Sequence, residues 1–170
     1  KFSYYLYSVP IAGQVESYLN DQVDFVDALP AEIRQKVRVR LYSQDRDWDQ
    51  KARWESYNPN IRFDNNQKTI EKSLQSCRLF IGTYNATTFL EAFSGNMPSI
   101  LFWNPKHWEL RDDVLIWFNL LKKVGIFHES PESAAKQMIK VWDNVVDWWE
   151  NDELQDVRSK FCNEFSRNPI

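Results

Sequence analysis

Glycine is scarce in this chain, at four of 170 residues. A G-x-G-x-x-G dinucleotide fingerprint and a G-x-x-x-x-G-K-[ST] phosphate loop are therefore excluded, because the glycines that let backbone approach phosphate are missing. Histidine is scarcer still: His107 and His128 cannot form H-E-x-x-H, and no C-x-x-C exists, so no structural zinc site is expected. The two cysteines, Cys77 and Cys162, lie far apart and read as small buried hydrophobes in a reducing, cytoplasmic compartment. There is no basic excess: 21 Lys and Arg against 24 Asp and Glu leave a net charge of −3, which argues against general nucleic-acid binding. No apolar run approaches the roughly 20 residues of a membrane span; the longest, from Val114 to Phe118, ends at Asn119. The N-terminus, Lys1-Phe2-Ser3-Tyr4-Tyr5, carries neither Met nor a signal-peptide pattern and reads as the interior of a longer protein. What is present is 43% hydrophobic and 15% aromatic residues, enough for one packed domain over residues 1–170.

Strand-like and helix-like segments alternate. Phe2 to Val9 reads as a strand. Val15, Leu19, Val23 and Val26 recur at helical spacing up to Pro30, and Ala31 to Gln35 adds a turn. Val37 to Tyr42 alternates apolar and charged residues with period two. Ser43 to Asn60 is polar and loop-like, and Ile61-Arg62-Phe63 reads as a short strand. Thr69 to Ser76 is helical, Arg78 to Gly82 a buried strand, Thr88 to Ser94 a helix and Ser99 to Trp103 another buried strand. Glu109 to Lys123 has acids early and Lys122-Lys123 last, matching the helix dipole, and Gly125 stops it. A short strand, Ile126 to His128, leads to Pro131 at the first turn of a helix. Val145 to Phe165 supplies one or two more helices, with Trp142, Val145, Val146 and Trp149 as a core stripe and Trp148 off it. This alternation predicts an α/β fold: a Rossmann-like, doubly wound, mostly parallel sheet of about six strands with helices on both faces. Ligands of such sheets sit outside the carboxyl ends of the strands.

Four segments fall at those ends, Tyr42 to Trp54, Thr83 to Thr88, Trp103 to Arg111 and His128 to Pro131, and three stretches carry candidate chemistry. The first is Gly82-Thr83-Tyr84-Asn85-Ala86-Thr87-Thr88-Phe89-Leu90-Glu91. A buried strand meets a hydroxyl- and amide-rich bend and then a helix, whose free N–H groups suit phosphate or carboxylate. A purely structural explanation also exists, because Thr88-x-x-Glu91 fits a capping box. The second segment runs from Arg38 to Asp49. Arg38 and Arg40 share a strand face, and Arg40, nearer the carboxyl end, can meet an anion bidentately. Asp45, Asp47 and Asp49 form overlapping D-x-D patterns that suit a divalent ion on a diphosphate, or simply a solvated loop. A calcium loop is excluded, since Gln50 and Ser56 stand where Gly and Glu are required. The third segment is Trp103-Asn104-Pro105-Lys106-His107-Trp108-Glu109-Leu110-Arg111. His107 suits a base or a phosphate donor, and Trp103 and Trp108 suit pocket walls or ordinary packing.

These residues have a likeness. Thr83 to Glu91, Asn96-x-Pro98-x-Ile100, Phe102-Trp103, Trp108-Glu109-Leu110-Arg111 and Gly125 to Ala135, with Arg40-Leu41-Tyr42, Asp45, Trp48, Trp148-Trp149 and Phe161-Cys162, resemble a family of transferases from bacterial surface-carbohydrate loci. The likeness runs from about Tyr4 to Arg167. One departure is Asp47, where that family carries Gly before the Trp. The family in turn resembles the carboxyl-terminal, donor-binding half of GT-B glycosyltransferases.

The resemblance implies a nucleotide-sugar substrate and no tightly bound cofactor. It also implies a carbohydrate or lipid-linked acceptor, an N-terminal Rossmann-like half of the same protein, and no nucleic acid. Thr87 and Thr88 would meet phosphate and Glu91 ribose. The substrate-binding set expected is Arg40, Asp45, Thr83, Tyr84, Asn85, Thr87, Thr88, Glu91, Trp103, His107 and Arg111, with no metal ligand and no catalytic residue named, the base lying on the other half. The implied role is in capsule or O-antigen synthesis. The implied location is cytoplasmic, with the inner face of the plasma membrane as a peripheral site. Three other readings stand beside it: a nucleotide-sugar epimerase of GT-B-like fold, a metal-dependent transferase using Asp45 and Asp47, and a non-catalytic assembly domain with Trp148 as its contact.

Overall fold

The computed structural model describes residues 12–42, 48–64 and 69–166. The expected strand Phe2–Val9 lies outside these residues, as do Asp45 and Asp47. The elements run α1 (Val15–Asp27), α2 (Ala31–Arg34), β1 (Arg38–Val39), α3 (Gln50–Tyr57), β2 (Arg62–Phe63), α4 (Ile70–Leu74), β3 (Phe80–Gly82), α5 (Thr87–Ser94) and β4 (Ser99–Phe102). They continue with α6 (Asp112–Lys123), β5 (Phe127–His128), α7 (Pro131–Val141), α8 (Val145–Trp149) and α9 (Asp152–Phe165). Among the described residues the strands form two parallel sheets, β1-β2 and β3-β4-β5. Parallel neighbours need long crossovers, and here each is helical.

β4 shows why helices cover both faces. All four of its residues are buried, so it reads as a continuous apolar run rather than an alternation. Its side chains nevertheless alternate between two cores. Ile100 and Phe102 pack with Phe25 and Val26 of α1, with Leu29 just beyond it, and with Ala134, Ala135 and Met138 of α7. Leu101 and the following Trp103 pack with Phe89 and Phe93 of α5, Phe118 and Leu121 of α6, and Phe161 of α9. The second core is an aromatic cluster, with Phe118 edge-on to Trp103, Phe127 and Phe161. Such edge-to-face pairs add about 0.5–1.5 kcal/mol each beyond burial. Val39, Phe63 and Ile81 all lie against the first core, so both sheets share it.

Four local expectations give way to the structure. Residues 50–57 are helical rather than loop, although only Trp54 in that helix is buried. A single buried anchor leaves no apolar period to read. The expected stripe from Trp142 breaks because Trp142–Asn144 is a 3-10 turn. Its tighter winding shifts the phase, leaving Val146 58% exposed and turning Trp148 inward against both cores. Cys77 is exposed rather than buried, and Cys162 is half-buried. The helix expected from Glu109 begins at Asp112. Among the described residues no helix is long and apolar enough to cross a membrane.

Gly125 ends α6 with φ +76, where a Cβ would stand 2.7 Å from Gln137 Nε2. The left-handed backbone costs other residues about 1–2 kcal/mol. Gly125→Ala is expected to lower unfolding stability by about that amount in urea titration, whereas a change within ±0.5 kcal/mol would contradict this reading of the turn.

Candidate functional site

Helices α5, α6 and α7 each follow a strand of the three-stranded sheet, so their N-termini gather at its carboxyl edge. Each brings partial positive charge there. Two of the three are compensated within the chain. α6 opens with Asp112 and Asp113, and α7 opens with Glu132 and with Ser130 accepting from the Ser133 N–H. α5 differs. It has no acid in its first turn, and its N-cap is Ala86, which has no side-chain acceptor. The capping box expected from Thr88 and Glu91 is therefore not formed: α5 starts at Thr87, which puts Thr88 inside the first turn. Among the described residues, the amides of Thr83 to Thr88 donate to no backbone carbonyl. Thr83, Tyr84, Asn85, Ala86 and Thr88 are half-buried, and Thr87 and Glu91 are exposed.

Neighbouring elements converge on this bend. The Thr83 hydroxyl shares a 2.9 Å hydrogen bond with the Tyr18 hydroxyl of α1. Burial holds the Tyr18 phenol well above its usual pKa, against the pull of that hydrogen bond. Tyr18, Tyr84 and Trp108 form a triangle of rings with centroids 5.5 to 6.5 Å apart. His107 lies edge-on to Trp108, and its Nδ1 is buried with no partner among the described residues. One turn beyond Tyr18, burial raises the Asp21 carboxyl above its usual range while the nearby His107 pulls it back. Beside Trp108 an open hollow of about 560 Å³ is lined by Glu109, Leu110, Arg111, Asp112 and Asp113. That volume is within the range of small-molecule sites.

The structure thus brings Thr83, Tyr84 and His107 together, with Asn85, Thr87, Thr88 and Glu91 on the same bend and its helix. Arg111 lines the hollow and pairs with Asp113 at 2.8 Å. Two other expected residues sit elsewhere. Trp103 is 1% exposed in the aromatic core, its indole Nε1 unpartnered among the described residues. Arg40 is held on the β1–β2 side, with Nη1 2.6 Å from Asp64 Oδ2 and 2.9 Å from Ser73 Oγ. Asp45 lies outside the described residues; Asp49 takes the N-cap of α3 with φ 51. Among the described residues no three His, Cys, Asp or Glu side chains group as a metal site. Tyr18 and Asp21 were not expected. A signal existed: Tyr18, Gln22 and Phe25 fall at i, i+4 and i+7, flanking the apolar stripe of α1.

The chain belongs to the LIC12162 family of transferases, whose family model matches residues 1–169. No curated protein and no solved structure matches it.

His128, at the end of β5, is fixed by hydrogen bonds at both ring nitrogens. A carbonyl can only accept, so Nε2 carries the proton and donates to Gly125 O at 3.1 Å. Nδ1 then accepts from the Ser133 hydroxyl at 2.8 Å. Burial, chiefly, holds the imidazole pKa below its ordinary value. The neutral form therefore stabilises the fold fully above about pH 6.5, and that contribution is lost as pH falls through the depressed folded value. The slope from one group is at most about 1.4 kcal/mol per pH unit. His128→Gln is expected to flatten the fall in stability between about pH 7 and 5. Parallel curves for the two proteins would contradict the assignment.

Proposed function

We propose that this transferase-family chain is the donor-binding half of a GT-B-type glycosyltransferase acting in bacterial capsule or O-antigen synthesis. In this reading the two parallel sheets are parts of one doubly wound sheet of about six strands. The observation that carries the reading is the uncompensated N-terminus of α5 at the carboxyl edge. Of three helix starts there, it alone has neither acid nor side-chain cap.

The donor is a nucleotide sugar. Its diphosphate accepts from the α5 amides and from the Thr87 and Thr88 hydroxyls, with His107 as a further donor and Glu91 taking ribose hydroxyls. Arg111 is fully able to turn toward the hollow, because its pair with Asp113 is solvent-exposed and weakly held. Arg40 reaches the donor only by exchanging Asp64 for phosphate. In the transfer the anomeric C–O bond to phosphate breaks, an acceptor oxygen bonds that carbon, and the acceptor's proton passes to a base. The nucleoside diphosphate leaves with its developing charge on donors already oriented by the fold. The base and the carbohydrate or lipid-linked acceptor belong to an N-terminal Rossmann-like half. The work is cytoplasmic, at or near the inner face of the plasma membrane.

Magnitudes set what this chain does alone. Two charge-assisted hydrogen bonds at about 1.5–3 kcal/mol each, with a helix end at about 0.3–2 kcal/mol, give roughly 3–8 kcal/mol gross. Millimolar affinity already takes about 4 kcal/mol net. Calorimetric titration with CDP, UDP, GDP and their sugars is therefore expected to show weak binding to one base class and no turnover. Absence of heat with all of them at millimolar ligand would overturn the reading. Thr87→Ala with Thr88→Ala is expected to cost about 1–3 kcal/mol of that binding; a folded double variant that binds like the parent would reduce the bend to a helix start.

A further inference from the structure

The amino-terminal edge of the β1–β2 sheet carries a second feature that the donor reading does not use. A hollow of about 200 Å³ opens there, lined by Arg34, Gln35, Asn58, Asn60 and Arg62 over an apolar floor of Val37 and Ile61. No acid lines it among the described residues. Arg34 is anchored by its Nη2, which donates to the carbonyls of Asp27 and Leu29 at 2.8 and 3.0 Å, and by Asp27 Oδ1 at 3.4 Å from Nη1. That leaves its Nε buried and without a partner among the described residues. Asn58 Oδ1 accepts from the Asn60 N–H at 3.0 Å, so the end of its amide left over is the NH₂ donor. The parallel register sets Arg62 directly beside Arg38. Both are exposed, and neither side chain has a hydrogen bond or ion pair among the described residues. Like charges in neighbouring register repel, on a chain whose net charge is otherwise −3.

We propose that this hollow is a phosphate seat, in which the Arg62 guanidinium meets the oxyanion, Arg34 adds its charge from the wall, and the Asn58 and Asn60 amides complete the hydrogen bonds. The lining brings two guanidinium groups and, among the described residues, no carboxylate, which favours an anion over a neutral sugar. Guanidinium forks match phosphate bidentately. The volume suits inorganic phosphate or the head of a phosphomonoester and is too small for a nucleotide sugar. The seat is independent of the donor reading, being built from residues at the opposite edge of the strands.

The test is a titration of the ¹⁵N-labelled chain with inorganic phosphate, and in parallel with glucose 6-phosphate, at ionic strength held constant with sodium chloride. Saturable amide shifts confined to residues 34–37 and 58–62 are expected. Equal half-saturation for the two ligands identifies the phosphate group alone as the ligand, and tighter binding of the ester identifies a sugar phosphate. Arg62→Gln is expected to weaken binding at least tenfold. Asn58→Asp keeps the acceptor for the Asn60 N–H, so the turn is retained, and is also expected to abolish saturation by placing a carboxylate in the seat. Shifts that fail to saturate, that chloride reproduces, or that survive both substitutions would overturn the proposal.

Discussion

The central strand Ser99–Phe102 has no face on solvent, and the arrangement of the molecule follows from that constraint. A strand buried on both sides must be covered by two helical layers, and in a parallel sheet the crossovers that return the chain supply them. Ile100 and Phe102 take one layer, and Leu101 and Trp103 take the other. Once the strands are parallel and the crossovers helical, α5, α6 and α7 have to start at one edge. Packing, not ligand chemistry, assembles the electropositive rim on which the functional reading rests.

That rim is differentiated by a few side chains. Asp112, Asp113, Glu132 and Ser130 quench two helix ends from within. Ala86 leaves the third unquenched. The hydroxyl pair of Tyr18 and Thr83 then fixes the bend against α1, and the Tyr18, Tyr84 and Trp108 rings stiffen its flank. A bend held in this way spends little conformational entropy on meeting a ligand, which matters where the donors available amount to only a few kcal/mol. Membership of a transferase family places group transfer among the chemistries to expect.

Much of this was legible in the residues. The order of helices and strands could be read from periodicity, since Val15, Leu19, Val23 and Val26 mark α1 and the unbroken apolar run at Ile100 marks β4. Gly125 and Pro131 mark helix boundaries by backbone chemistry alone. The bend at Thr83 to Thr88 could be singled out because hydroxyls and an amide between a buried strand and a helix are chemically distinctive. What escaped was tertiary. α3 hangs on the single buried Trp54, so no pattern announces it. The 3-10 turn at Trp142–Asn144 moves Val146 outward by a change of winding that composition does not encode. Arg40 looked available because its partners, Asp64 and Ser73, come from distant elements. Tyr18 and Asp21 join the site only because α1 lies against the bend that follows β3 and the segment around His107.

The central claim is that the amides of Thr83 to Phe89 grip a diphosphate. Their NMR resonances report it directly. Titration of the chain with CDP, UDP and GDP should move those resonances saturably with one of the three and leave the turn at Gly125 unmoved. Resonances that stay fixed under all three nucleotides, or that move only elsewhere, would contradict the account.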